Sequence, residues 1–237
     1  MTTPDHRDSG KAARILAAAQ ELVFKRGFRG VTIAEIADRA HVGKGTVYLY
    51  WSTKEDLFHG LFARDFLAML DEYVDMLTAD PDLCRPHRLF PRLVTGALTH
   101  PFVRALHTRD SDLLGVLAEH PRSRDMFATL GPGALMHMVL PVWRRHRLAR
   151  TDWPLDRQAY ALRALMTGFL DSETTTPPAE SGLPQEERSD AMSAAVTALL
   201  GPEAAGPDDI RATADEGLRL LHEAREAILA SITPDRK

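Results

Sequence analysis

The sequence predicts an all-α protein. Three observations carry this. Apolar residues recur at helical spacing in almost every segment, strand-type alternation is nearly absent, and helix-starting and helix-stopping residues bracket the apolar runs. With 237 residues, 44% hydrophobic and 26% charged, the chain fits one large or two unequal folded domains. Such a composition excludes a wholly disordered chain, a collagen and a disulfide scaffold. Cys84 is the one cysteine, so no internal disulfide can form and a reducing cytoplasm is the expected setting. The first residues, Met1 to His6, lack the apolar core of a signal peptide. No stretch approaches the roughly 20 apolar residues of a membrane helix.

The first helix is expected over Lys11–Lys25, where Ile15, Leu16, Ala19, Leu22 and Val23 share one face. Gly27 stops it, and Phe28 can pack back beneath it. Thr32-Ile33-Ala34-Glu35 is a capping box: the Thr32 hydroxyl accepts from the Glu35 amide while the Glu35 carboxylate returns to the Thr32 amide. The helix it starts, Ile33 to Ala40, turns Ile33, Ile36, Ala37 and Ala40 inward. His41-Val42-Gly43 then breaks the chain, and a third helix, Lys44 to Trp51, follows at once. Two short helices across a tight, glycine-containing turn are the helix-turn-helix pattern.

Ser52 and Thr53 cap a fourth helix, with Thr53-x-x-Asp56 as a second capping box. Its apolar positions, from Leu57 and Phe58 to Val74 and Leu77, cover more than one stripe and call for packing on both sides. It should end near Asp80-Pro81. Further helices are expected at Pro86–His107, Asp110–His120, Ser123–Leu130, Ala134–Leu148, Leu155–Asp171, Glu186–Leu200 and Asp208–Ile232. Thr174 to Asp190, rich in proline and polar residues, reads as a mobile loop.

Charge is unevenly distributed. Residues 1–54 hold nine basic and five acidic side chains, a net of +4, against −8 for residues 55–237. A basic segment joined to an acidic one points to polyanion contact at one end only.

The run Gly30-Val31-Thr32-Ile33-Ala34-Glu35-Ile36-Ala37, the turn at Val42-Gly43, and Lys44-Gly45-Thr46-Val47-Tyr48-Leu49-Tyr50-Trp51-Ser52-Thr53-Lys54-Glu55 together resemble the tetracycline-repressor (TetR) family of bacterial regulators. The resemblance covers about residues 9–69. It implies a DNA-binding helix-turn-helix domain there, with the motif at about 32–51, and an effector-binding and dimerisation domain over 70–237.

The same residues make physical sense as a DNA reader. Val47 and Trp51, four apart, can face Ile36 and Leu16 and brace the third helix, leaving Lys44, Gly45, Thr46, Tyr48 and Leu49 outward or sideways. Gly45 lets backbone approach DNA closely. Lys44 and Thr46 can reach base edges or phosphate near the positive helix end. Tyr48 offers a flat face and a hydroxyl. Lys54 is expected as a phosphate anchor, and Thr32 offers its hydroxyl or backbone amide to phosphate. Tyr50 is open to two roles, half-buried support or DNA contact, and the resemblance favours contact. Leu49 departs from the polar residue or histidine common in the family, which puts the base preference in doubt.

One such motif makes few base contacts, so a homodimer on a double-stranded, palindromic operator is expected, with half-sites about 34 Å or a multiple apart. Leu155–Asp171 and Asp208–Ile232 are the expected dimer helices, and Gly168 and Gly217 would allow close approach. The resemblance further implies a small-molecule effector, expected to be lipophilic. Phe102, His107, Met126, Phe127, Met136, His137, Met138, Trp143, Met166 and Phe169 are the candidate lining, although each would serve equally as plain core. Nucleophile-elbow, phosphate-loop and zinc-protease motifs are missing, so neither catalytic residues, metal nor cofactor is expected. The function implied is a ligand-released repressor. An activator, or a helical protein acting through protein partners without DNA contact, is the alternative.

Overall fold

The computed structural model describes residues 6–108, 110, 113, 132–175 and 182–232. Among these there are helices and turns and no strand. Helix α1 spans His6–Arg26 and ends where Gly27 takes a left-handed φ of 67°, its amide closing on the Val23 carbonyl at 2.8 Å. Helices α2 (Ile33–Arg39) and α3 (Lys44–Tyr50) follow, and Thr32 caps α2 with the complete capping box. The turn between them differs from the sequence pattern in one respect. The left-handed residue is His41, at φ 54°, whereas Gly43 lies at φ −70° and serves as the N-cap of α3.

Helix α4 (Lys54–Ala79) begins at the Thr53 cap and continues through residues 69 and 70 without a break, so the expected domain boundary falls inside it. A 3₁₀ turn, Pro81–Cys84, leads to α5 (Pro86–Thr99) and α6 (Pro101–Thr108). The single helix expected over 86–107 is thus divided. Proline disfavours the helical conformation of the residue before it, and His100, before Pro101, is extended at φ −89°, ψ 109°. A carboxylate from α4 organises the break: Asp65 accepts the amides of Phe102 and Val103 at 2.8 and 3.2 Å. The buried His100 ring sits between Asp65 and Glu72, at 3.3 Å from each.

Helices α7 (Pro132–Arg145), α8 (Leu155–Thr175), α9 (Gln185–Leu200) and α10 (Pro207–Ile232) complete the described chain. The helices expected over 110–120 and 123–130 lie, apart from residues 110 and 113, outside the described residues. Helix α8 runs to Thr175, past the expected start of the loop. One continuous core links all these elements. The first half of α4 gives Leu57, Phe58 and Leu61 to α1–α3, and its second half gives Phe66, Leu70 and Leu77 to the later helices.

Helix α10 packs extensively within its own chain. Its apolar face, with Ile210, Ala214 and Ile228 buried, lies against α4 and the 3₁₀ turn of its own chain rather than outward. A Cβ on Gly217 would come within 3.2 Å of Leu77, so the glycine permits this close packing. Arg225 ties the two helices to each other through Asp71 at 2.8 Å.

Candidate nucleic-acid interface and effector cavity

Helix α3 is held from one side and open on the other. Val47 is 0% exposed, in the core formed by α1, α2 and α4. Trp51, at the end of α3, lies over Gly60 of α4, where an added Cβ would stand 3.0 Å from the indole nitrogen. Lys44, Gly45, Tyr48 and Leu49 face outward, with Tyr48 45% and Leu49 84% exposed. Thr46 is half-buried. The Lys44 ammonium stands 5.8 Å from the Tyr48 ring centre. A Cβ at Gly45 would meet no atom within 4 Å, so a surface is free to approach the backbone there. Tyr50 is half-buried, its ring 5.6 Å from that of Trp51.

Two predicted phosphate contacts are already engaged. The Thr32 amide and hydroxyl both donate to Glu35 Oε2 at 2.9 Å, and the hydroxyl also accepts the Glu35 amide. Both groups are bonded within the capping box, on a residue that is exposed. Lys54 donates to the Phe28 carbonyl at 2.6 Å and lies 4.1 Å from the Phe28 ring centre. Burial lowers its pKa. Lys54 therefore fastens the α1–α2 connection to α4 through one of the three N–H donors of its ammonium.

The positive charge of the segment is also partly neutralised. Arg26 pairs with Glu35 at 2.7 Å, and Lys25 and Arg39 both pair with Glu21, at 2.8 and 2.6 Å. Hydrogen bonds from Thr32 and then Arg26 hold the Glu35 carboxyl below its usual range, and those from Lys25 and Arg39 do the same for Glu21. Lys44 and Arg29 are exposed and make no ion pair among the described residues. Arg29 was not among the expected contacts. Its position just before Gly30 and the Thr32 cap is the signal that could have singled it out.

A cavity of about 100 Å³ lies between the second half of α4, the 3₁₀ turn, α5, α7 and α10. Met138 and Trp143, of the candidate lining, are in its wall. Trp143 is fully buried, and its indole N–H donates to the Cys84 carbonyl at 2.8 Å. The other expected lining residues that are described stand elsewhere. Phe102 is core, 5.2 Å from Phe24 of α1 and 4.9 Å from Phe62 of α4, and so joins the two parts of the chain. Met136 and Met166 are buried outside the cavity, and His137 is exposed because it lies on the opposite side of α7 from Val139 and Val142. Phe169 packs against Phe90 at 6.1 Å. The His107 side chain, Met126 and Phe127 lie outside the described residues. Among the described residues most of the lining comes from α4 and α10, neither of which supplied a candidate lining residue.

Burial pushes the Cys84 thiol, in the cavity wall, up to about 12. Among the described residues no helix is long and apolar enough to cross a membrane.

A braced, outward-facing second helix of a helix-turn-helix, on an all-helical chain, defines a DNA-binding transcription regulator. Residues 15–61 match the profile of the bacterial regulatory proteins of the tetR family. The HTH-type transcriptional regulator YdeS of Bacillus subtilis is 48% identical over 48 residues, 20% of this chain and 24% of YdeS, so the chain spans about a quarter of that relative. The fatty acid metabolism regulator protein of the same organism is 30% identical over 182 residues, covering 68% of this chain and 92% of that protein. A tetR-family regulator structure from Mesorhizobium loti superposes with a TM-score of 0.57 at 20% identity, over 84% of this chain and all (100%) of that one, and shares the fold. The chain belongs to the tetR family of bacterial regulatory proteins.

Proposed function

We propose that the protein is a cytoplasmic repressor that binds a two-fold operator as a homodimer through α3 and is released by an apolar effector in the cavity between α4 and α10. The observation that carries this is α3 itself: Val47 buried, Trp51 seated on α4, and Lys44, Gly45 and Tyr48 facing out. In this reading Lys44, Thr46 and Tyr48 read the major groove while Arg29 and Tyr50 approach the backbone. Thr32 and Lys54 act from behind by fixing α2 and α4.

Because the apolar face of α10 is occupied within the chain, dimerisation falls to α8 and α9. Their open faces carry Tyr160, Ala164 and Gly168, and Ala191, Ala194 and Ala198. Helix α4 supplies the coupling. Its first half seats Trp51, and its second half walls the cavity, so a ligand that prefers another α4 position shifts the spacing of the two α3 helices. Operator affinity falls by the ligand's differential affinity for the two states and by no more. The extensive match to a fatty acid metabolism regulator supports an apolar effector.

Selection of bound duplexes from a random pool tests the reading. Enrichment of an inverted repeat with half-sites about one helical turn or a multiple apart is expected. No enrichment of any duplex would remove it.

A further inference from the structure

Among the described residues, five side chains in the cavity wall carry polar atoms: Tyr73, Cys84, Arg92, Trp143 and Thr213. Four of them are satisfied within the chain. The Tyr73 hydroxyl donates to the Leu93 carbonyl at 3.4 Å, and the Cys84 thiol to the Ile210 carbonyl at 3.5 Å. Trp143 donates to the Cys84 carbonyl at 2.8 Å, and the Thr213 hydroxyl to the Asp209 carbonyl at 2.7 Å. A hydrogen-bond acceptor placed deep in the cavity would therefore lose water and find no free donor among the described residues, which is costly. An alkyl chain suffers no such loss.

Arg92 differs from the other four. It is the one ionised side chain of the wall, it is exposed, and it makes no hydrogen bond or ion pair among the described residues. Its neighbours are not left that way. Arg85 is held by Asp82 and Glu203, and Arg88 by Asp80 and Asp82. The cavity thus joins an apolar interior to a single unpaired guanidinium at its rim. A guanidinium presents donors in a fork that matches a carboxylate and repels a cation.

We propose that the ligand of this cavity is an anionic amphiphile, with an unbranched alkyl chain among the α4 and α10 side chains and one terminal acid group on Arg92. The proposal rests on the cavity being the effector site. Its test separates the two. Calorimetric titration of the full chain with decanoate, decanol and decyltrimethylammonium at neutral pH should rank them in that order. Decanoate should bind roughly fivefold tighter than decanol, the scale of one well-placed exposed ion pair. That advantage should shrink as salt rises. Arg92→Gln should bring decanoate to the level of decanol and leave decanol unchanged, and Arg92→Lys should keep part of the advantage. Equal affinities in the wild type, or a decanoate preference that survives Arg92→Gln, would overturn the headgroup assignment. If decanol binds and Leu221→Trp, which fills the cavity, abolishes it, the effector cavity stands even where the headgroup assignment falls. If no alkyl ligand binds, both fall.

Discussion

The Lys44 ammonium lies 5.8 Å from the centre of the Tyr48 ring, one turn further along α3, and both side chains are exposed. The pair is a cation and an aromatic face displayed together on the exposed surface of α3, while Val47 of the same helix is buried. A cation beside an exposed ring retains most of its hydration and its positive potential, so the contact orders Lys44 without neutralising it. The neighbouring bases Lys25, Arg26 and Arg39 are instead paired with carboxylates.

The turn before α3 should be sensitive at an unexpected position. His41 bears the left-handed φ of 54°, and Gly43 does not. His41→Val should lower stability by about 1–2 kcal/mol, the cost of a β-branched residue in that region, while His41→Gly should match or exceed the wild type. A Cβ at position 43 would stand 3.8 Å from the Thr46 hydroxyl, so Gly43→Ala should be mild. Urea unfolding midpoints check this, and a Gly43→Ala variant weaker than His41→Val would contradict it.

The seat of α3 on α4 depends on the absence of a side chain at Gly60, where a Cβ would lie 3.0 Å from Trp51. Gly60→Val should displace the indole and cost about 1–3 kcal/mol through overpacking. Trp51→Phe should recover part of that loss when combined with it. A double-mutant cycle measures the coupling, and strict additivity would show that the two do not press on each other.

Cys84 should be chemically silent. With its thiol pushed up to about 12 by burial, the folded protein holds almost no thiolate at pH 8. Iodoacetamide should leave it unmodified in buffer and label it fully in guanidinium. The raised value also fixes a sign. The stabilisation is complete below the ordinary value of 9.0 and is lost as pH climbs towards 12. Rapid labelling of the native protein would refute the assignment.

Much of this was legible from local chemistry. The Thr32 and Thr53 caps, the buried stripe of Ile33, Ile36, Ala37 and Ala40, and the stop at Gly27 are written in short-range patterns that tertiary packing did not override. Cap geometry and helical periodicity are decided within one or two turns. The cavity was not legible in the same way. Met136, Met138 and Met166 are equally apolar on paper, and only the three-dimensional phase of α7 and α8 brings Met138 alone of them to the wall. The destination of the α10 face was hidden for a related reason, since an apolar stripe does not say whether its own chain or a second copy covers it. Likewise, the sequence could place Lys54 near the surface but could not show that the Phe28 carbonyl and ring already hold it.

The most direct test of the account is fluorescence anisotropy on the selected duplex with the double variant Lys44→Ala, Tyr48→Ala. Both side chains are exposed, so thermal stability should be unchanged. Losing one base contact and one backbone contact should weaken duplex binding by roughly 100-fold, at about 1–3 kcal/mol for the base contact, and should flatten the salt dependence. Undiminished duplex affinity in the folded double variant would contradict the placement of α3 in the groove.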